Sequence, residues 1–251
     1  MPTEQQSWWR TFFESPDSLP LSYFPEPETT MAEVEGIEDL LQWGAHPKIA
    51  DVCCGYGRHL VPLRMRGHDV IGVDISQMML DIADFRARQA GVDITLVQGL
   101  AQRLPFTDDA FDVILNLFNS LGYMDDPENQ AVLTEASRCL KSGGRFMLET
   151  RNKKFQIIYA PYNTTVSLAS GEPATVRCYY DADTDRLNSV WTNPEDENDV
   201  YHRASIRLYA PGELEEMLRL AGFEVNARLS SYSGNTFEGF ERQLIYLCTK
   251  R

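Results

Sequence analysis

The chain of 251 residues is 43% hydrophobic and 24% charged, a composition that suits one sizeable soluble domain or one domain with an insertion. Its formal net charge of −14 argues against nucleic acid or an anionic membrane as the main partner. No apolar run approaches the roughly 20 residues of a membrane span, and the N-terminus lacks the features of a signal peptide. These features predict a cytoplasmic protein without membrane association.

The first 46 residues predict a helical cap or lid. Helices are expected over 5–15 and 28–44, separated by a proline-rich link. The first helix carries four aromatic residues, Trp8, Trp9, Phe12 and Phe13. Such residues can form a lid, but at helical spacing they more often pack in a core.

The next segment, 47–160, alternates between strand and helix patterns. Strands are predicted over 48–52, 68–74, 92–99, 111–117 and 145–150. Helices are predicted over 58–67, 76–91 and 126–144. This alternation implies a parallel sheet with right-handed crossovers.

Residues 161–207 interrupt the alternation. Their β-branched and aromatic residues, separated by polar turns, predict two or three antiparallel strands. Residues 208–251 then supply a helix within 210–225 and a final strand over 242–250. We therefore expect a core made of 47–160 and 208–251 with an insertion over 161–207.

Two glycines, Gly55 and Gly57, stand where the first strand passes into the first helix. Ligands of open parallel sheets bind at the carboxyl ends of strands, where glycine lets the backbone come close. A dinucleotide fingerprint needs a third glycine where Leu60 stands, and a P-loop needs Lys-Ser/Thr where Arg58 and His59 stand. Neither pattern is therefore present.

An acidic residue ends the next predicted strand. Asp74 closes the sequence VIGVD, where a carboxylate can accept hydrogen bonds from both hydroxyls of a ribose. Together with the sequence DVCCGYG over 51–57, it predicts a nucleoside ligand without a bulky pyrophosphate.

Metal binding and disulfides are not predicted. The five cysteines are scattered, no C-x-x-C pair occurs, and there are only four histidines. The adjacent Cys53 and Cys54 are interpreted as small packing residues rather than metal ligands. The acidic turns of the insertion lack the spacing of a calcium loop.

Four segments, in order and spacing, resemble the class I S-adenosylmethionine-dependent methyltransferases. They are DVCCGYGRH, GVDISQMML, RLPFTDDAFDVILNLFNSLGYM and EASRCLKSGGRFMLET, between residues 51 and 150. The resemblance implies an α/β, Rossmann-like, doubly wound sheet of seven strands. It implies the strand order 3-2-1-4-5-7-6 with an antiparallel last strand, and the cofactor S-adenosylmethionine, with S-adenosylhomocysteine as product.

The resemblance also implies positions for the cofactor. Gly55 and Gly57 would pass under its methionine part and Asp51 would orient that loop or bind the amine. Asp74 would hold the ribose hydroxyls. The other implied contacts are Cys53, Ile75, Met79, Ala101, Gln102 and Leu117, and Arg58 would meet either the carboxylate of the cofactor or a nearby acid. Leu100 stands where the family often has an aspartate for the adenine amino group, so backbone at Ala101 or the side chain of Gln102 would recognise adenine instead.

Catalytic residues of the family are harder to locate, because methyl transfer mainly requires alignment of the acceptor with the methyl group. The candidates are Tyr23, Asn119 and Tyr123. In related sugar-amine methyltransferases a tyrosine near the N-terminus closes over the cofactor or acceptor, which suggests Tyr23. Arg151 and Asn152 follow the fifth strand and also face the acceptor side. His59 is more consistent with a structural role than with a base.

These observations predict a methyltransferase that acts on N or O of a small-molecule acceptor, of the type similar to sugar-amine N-methyltransferases. The insertion would roof the substrate or form a homodimer interface. Alternatives are a peptide or protein N-methyltransferase, which the acidic charge would suit, and a module that binds the cofactor without turnover. Leu60 disfavours a nicotinamide oxidoreductase.

Overall fold

The computed structural model describes residues 8–251, except for the side chain of Ser18. The part of the predicted first helix that lies over 5–7 is outside these residues. Within the described chain the strands form a seven-stranded sheet and a separate four-stranded sheet.

The seven-stranded sheet has the strand order β3-β2-β1-β4-β5-β11-β10. Its strands are β1 Lys48–Val52, β2 Asp69–Asp74, β3 Thr95–Gln98, β4 Phe111–Asn116, β5 Leu140–Arg151, β10 Phe223–Leu229 and β11 Gln243–Lys250. The first five are parallel, and β11 is antiparallel to both of its neighbours. This confirms the predicted fold class and the predicted strand order.

Seven α-helices accompany the strands in the described chain. They are α1 Trp9–Phe12, α2 Pro27–Leu41, α3 Leu60–Met65, α4 Gln77–Gln89, α5 Asp126–Cys139, α6 Lys153–Tyr159 and α7 Pro211–Leu220. Ser76 is the N-cap of α4, because its hydroxyl accepts a hydrogen bond from the Met79 amide at 3.2 Å. No helix of residues 8–251 is both long and apolar enough to cross a membrane.

The insertion folds into a four-stranded antiparallel sheet, whereas its sequence predicted only two or three strands. Its strands are β6 Tyr162–Ser167, β7 Pro173–Asp181, β8 Arg186–Thr192 and β9 Val200–Arg207, in that spatial order. The strand β6 is mostly exposed, so it lacks the apolar alternation by which a strand is recognised. We call this four-stranded sheet the roof sheet.

The roof sheet is fastened to the loop between β4 and α5. The Arg207 amide donates to the Gly122 carbonyl at 2.7 Å. The Arg186 guanidinium donates to the carbonyls of Met124 and Tyr123 at 3.1 and 3.2 Å. These bonds hold the roof sheet beside the carboxyl ends of the central strands.

Candidate active site

A cavity opens at the carboxyl ends of β1, β2, β3 and β4. The space between its lining residues, together with the open solvent at its mouth, is about 1150 Å³. It lies where the strand order reverses between β1 and β4, the usual ligand position in open parallel sheets. Its walls come from the loops that follow these strands and from the N-terminal segment.

The loop after β1 has a backbone that favours glycine. Cys53, Gly55 and Gly57 all have left-handed φ angles, of 64°, 53° and 73°. A Cβ on Gly55 would meet no atom within 4 Å, whereas one on Gly57 would lie 3.0 Å from the Ala83 Cβ of α4. Gly55 therefore borders the cavity, and Gly57, which is not among the lining residues, brings the loop against α4.

Asp74 joins the two loops that a nucleoside would contact. One carboxylate oxygen accepts from the Gly55 amide at 2.9 Å, and the other accepts from the Ser76 amide at 2.9 Å. Burial raises the pKa of this carboxyl, and the backbone donors oppose the rise. Each oxygen keeps a further lone pair for a ribose hydroxyl, so the residue fits its predicted role.

Two buried hydrogen-bond acceptors line the cavity floor. Asp51 is 3% exposed, and burial raises the pKa of its carboxyl to about 7, with His59 opposing the rise and Asp74 adding to it. Asn116 is 1% exposed; its Nδ2 donates to the Val52 carbonyl at 3.1 Å, while its Oδ1 has no partner among residues 8–251. Both groups suit the ammonium of a methionine moiety.

Sequence reasoning missed Asn116. It is the last residue of β4 and follows three buried apolar residues, so its amide interrupts an otherwise apolar end of the strand. A polar residue at the carboxyl end of a buried strand was the available signal, because such a side chain must find a partner.

Arg58 and His59 meet the same carboxylate. The Arg58 Nη2 lies 2.5 Å and the His59 Nε2 lies 2.9 Å from Glu33 Oε2 of α2. These contacts hold the pKa of Glu33 below its usual value although burial opposes them. The guanidinium of Arg58 also lies 4.7 Å from the centre of the Phe118 ring. The contact with Glu33 is consistent with a structural role for His59. The acid that Arg58 contacts is also Glu33.

Apolar side chains form a slot on the β2 and β3 side of the cavity. Its lining residues are Ile75, Met79, Leu100 and Ala101, with the polar Gln102, whereas Leu117 lines the cavity after β4. Leu100 thus lies on the cavity wall, and its predicted position near adenine stays a prediction. This slot fits a flat heterocycle such as adenine, so the cavity residues as a whole fit S-adenosylmethionine.

Tyr23 and Tyr123 line the opposite side of the cavity. Burial raises the pKa of both phenols, and the nearby charge of Arg151 lowers both. The Tyr56 hydroxyl of the glycine loop donates to the Tyr23 carbonyl at 2.8 Å, which places Tyr23 over the loop. Both tyrosines stay protonated near neutral pH, so they can position an acceptor but are poor bases.

The aromatic N-terminal helix has a divided role. Trp8, Trp9 and Phe12 belong to the buried core and Phe13 packs against it, while Trp9 and Phe13 also line the cavity. The Trp8 indole donates to the Ser205 carbonyl of β9 at 2.9 Å and so fastens α1 to the roof sheet. The packing interpretation therefore describes all four residues, two of which also border the cavity.

Two further candidates lie away from the cavity surface. Asn119 has a φ angle of 64° in the loop after β4, and it is not among the lining residues although Phe118 and Ser120 are. Asn152 caps α6, and its Nδ2 donates to the carbonyls of Gly239 and Glu241. The amide of Asn152 is thus used for structure.

Comparison with known proteins agrees with this geometry. Residues 49–144 match the family model of a methyltransferase domain. Over 114 residues the chain is 38% identical to a demethylmenaquinone methyltransferase of Lactobacillus johnsonii, covering 43% of this chain and 46% of that protein. The chain thus spans about half the length of the first curated relatives that it matches, 46% and 51%.

Solved structures are similar over nearly the whole chain. The CcbJ methyltransferase from Streptomyces caelestis superposes with a TM-score of 0.77 at 20% identity, over 95% of this chain and 99% of that one. CalS10, an amino pentose methyltransferase from Micromonospora echinaspora, superposes with a TM-score of 0.65 at 19% identity, over 91% and 93% of the two chains.

Residues 49–144 are therefore a methyltransferase domain, and the chain has the class I fold of the S-adenosylmethionine-dependent methyltransferases. S-adenosylmethionine is the cofactor that the names of solved structures with this fold give for those proteins. The predicted fold is confirmed, the predicted family is matched over residues 49–144, and the individual site residues remain predictions.

Proposed function

We propose that this protein is an enzyme that transfers a methyl group from S-adenosylmethionine to a nitrogen or oxygen of a small-molecule acceptor. The observation that carries the proposal is the single cavity that joins the Asp74 and glycine-loop side to the Tyr23 and Tyr123 side. When bound, the cofactor supplies an electrophilic methyl group on a positively charged sulfur. The protein then has to orient the acceptor and exclude water.

The cavity favours a neutral amine as the acceptor atom. Its lining carboxylates, Asp51 and Asp74, belong to the cofactor side, and His59 is paired with Glu33. Tyr23 and Tyr123 remain phenols because burial raises their pKa. No strong base therefore lines the acceptor side within the described chain. A neutral amine can attack without first losing a proton, whereas an alcohol profits from a base.

The proposal also covers the residues that bind the acceptor, the oligomeric state and the cellular location. We assign Tyr23 and Tyr123 to acceptor positioning and the roof sheet to covering the acceptor. The exposed outer strand β6, with Tyr162 41% exposed, supports a homodimer through that edge. The free thiols of all five cysteines support a reducing, cytoplasmic location.

A turnover experiment tests the proposal. Purified protein is supplied with S-adenosylmethionine and a panel of small amines, each matched with the alcohol of the same carbon skeleton, and S-adenosylhomocysteine is quantified. We expect turnover with members of the amine set and little with their alcohols. Turnover confined to the alcohols would contradict the amine assignment. Binding of the cofactor without turnover of any acceptor would support a module that binds without catalysis.

A further inference from the structure

Two consecutive residues of the loop after β4 have an unfavourable backbone conformation. Phe118 and Asn119 have left-handed φ angles of 58° and 64°. A bulky residue such as phenylalanine rarely adopts this conformation. It persists only where the surrounding structure holds it, and it is concentrated at functional sites. This loop borders the cavity, because Phe118 and Ser120 are among the lining residues.

The side chain that holds this loop is Glu149, near the carboxyl end of β5. It is 3% exposed, and its Oε2 accepts a hydrogen bond from the Phe118 amide at 2.8 Å. A buried carboxylate is costly unless its oxygens are hydrogen-bonded, and hydrogen bonds to a carboxylate are stronger than those between neutral groups. The bond therefore fixes the loop at the first of its two left-handed residues.

Two further donors hold the carboxylate of Glu149 in place. The Tyr232 hydroxyl donates to Oε2 at 2.6 Å, and the Gln243 Nε2 donates to Oε1 at 2.7 Å. Tyr232 follows β10, and Gln243 is the first residue of β11. The carboxylate thus ties the loop after β4 to two elements on the other side of β5, and its orientation does not depend on the loop alone.

The ring of Phe118 connects this anchor with the acceptor side of the cavity. It packs against the Tyr23 ring in an edge-to-face contact, with 5.8 Å between the ring centroids and 88° between the ring planes. The Arg58 guanidinium, which pairs with Glu33, lies 4.7 Å from the centroid of the same Phe118 ring. Tyr23 therefore packs against a ring that is held on both sides, and a shift of the Phe118 backbone would displace this support.

We propose that Glu149 is a positioning residue for methyl transfer. It fixes Phe118, and through Phe118 the ring of Tyr23, so that the acceptor is held in line with the methyl group. Glu149 is not among the residues of the described chain that line the cavity, so it acts through Phe118. Alignment matters because a displacement of about 1 Å can cost about 100-fold in rate. This inference rests on the proposed function, because it concerns how that site holds its acceptor.

The test measures kcat and KM for the amine that the wild type methylates fastest in the turnover experiment. Glu149→Leu removes the acceptor of the Phe118 amide and should lower kcat/KM for this amine by about 10- to 100-fold. Glu149→Gln keeps an oxygen that can accept from the same amide, so kcat/KM should recover to within about threefold of wild type. Binding of S-adenosylhomocysteine should stay within about threefold of wild type in both variants.

Gln243→Leu is the matched control. It removes one hydrogen bond from the same carboxylate but leaves the bond to the Phe118 amide. We expect a lower temperature of thermal unfolding, with kcat/KM within about twofold of wild type. Equal losses of kcat/KM in Gln243→Leu and Glu149→Leu would overturn the inference, because the bond to the loop would then have no special effect.

Phe118→Leu carries the test if Glu149→Leu does not fold. It keeps the backbone hydrogen bond and removes the ring that supports Tyr23, so KM for the amine should rise by about tenfold. Wild-type kcat/KM in Phe118→Leu, or in folded Glu149→Leu, would overturn the inference.

The remaining outcomes separate the inference from its alternatives. A loss in Glu149→Gln as large as in Glu149→Leu would overturn it, because the charge rather than the bond to the loop would then matter. An equal loss of kcat/KM and of S-adenosylhomocysteine affinity would overturn it in favour of a role in cofactor binding. A wild type that binds S-adenosylhomocysteine but methylates no amine would contradict the proposed function instead.

Discussion

The two sides of the cavity are built from different kinds of sequence. The side that we assign to the cofactor rests on short loops that follow β1 and β2, where Asp74 accepts hydrogen bonds from two backbone amides. The acceptor side is assembled from Tyr23, Tyr123 and the roof sheet, which are distant in sequence. Local backbone geometry therefore fixes the first side, and long-range packing fixes the second.

The largest expected effect concerns the fold of the cofactor loop itself. Gly57→Val should lower the free energy of unfolding by about 3 kcal/mol or more, since its left-handed φ and its contacts with Ala83 and Val61 both oppose a side chain. Gly67→Val is the control, because Gly67 also has a left-handed φ but no atom within 4 Å of its Cβ. Urea unfolding measures both variants. Equal losses would mean that contact with α4 is unimportant.

The next effect concerns cofactor affinity. Asp74→Ala should weaken S-adenosylhomocysteine binding by about 1–3 kcal/mol, because it removes a charged acceptor from the ribose site. Asp112→Ala is the control. Asp112 also accepts a hydrogen bond from a backbone amide, that of Lys48 at 3.0 Å, but it lies at the amino ends of β1 and β4, away from the cavity. Calorimetric titration compares the two. Wild-type affinity in Asp74→Ala would mean that Asp74 does not bind the ribose of the cofactor.

A smaller effect follows from the protonation of Asp51. Burial raises its pKa to about 7, and the methionine ammonium prefers the ionised form. Affinity for S-adenosylhomocysteine should therefore fall as the pH drops below about 7, by up to tenfold per pH unit. Titrations at several pH values measure the slope, and Asp51→Asn should flatten it. The same slope in Asp51→Asn would assign the titration to another group.

The same burial has an opposite consequence for stability. The folded protein binds the Asp51 proton more tightly than the unfolded chain does, so this residue stabilises the fold at low pH. Its contribution is lost as the pH rises from the unfolded value of 3.8 through about 7. Unfolding of Asp51→Asn should lack this part of the pH dependence.

The smallest effect distinguishes the two adjacent cysteines. Cys53→Gly should change the free energy of unfolding by less than about 0.5 kcal/mol, because relief of its left-handed φ offsets the lost side chain. Cys54→Gly should cost about 1–2 kcal/mol, because Cys54 is buried against Gly72 of β2. A larger loss for Cys53→Gly would mean that its side chain, rather than its backbone, supports the loop.

The difference between the two sides of the cavity also explains which features could be predicted from the sequence. The alternation of strands and helices and the place of Asp74 were predicted from local patterns, whereas the strand order was implied by the resemblance to the methyltransferase family. Asn116 was missed because the absence of a partner for its Oδ1 is visible only in the packed structure. Strand β6 was not predicted because its exposed residues carry no apolar alternation. Gly57 shows the limit on the cofactor side: its loop position was predicted, but its contact with α4 was not.

The most direct test of the account is calorimetric titration of the ligand-stripped protein with S-adenosylhomocysteine, with NAD as the control. The account predicts saturable binding of S-adenosylhomocysteine at one site and no binding of NAD, since Leu60 replaces the third glycine of a dinucleotide loop. Binding of NAD, or failure to bind S-adenosylhomocysteine, would mean that the protein has the methyltransferase fold but that its cavity does not bind the methyltransferase cofactor.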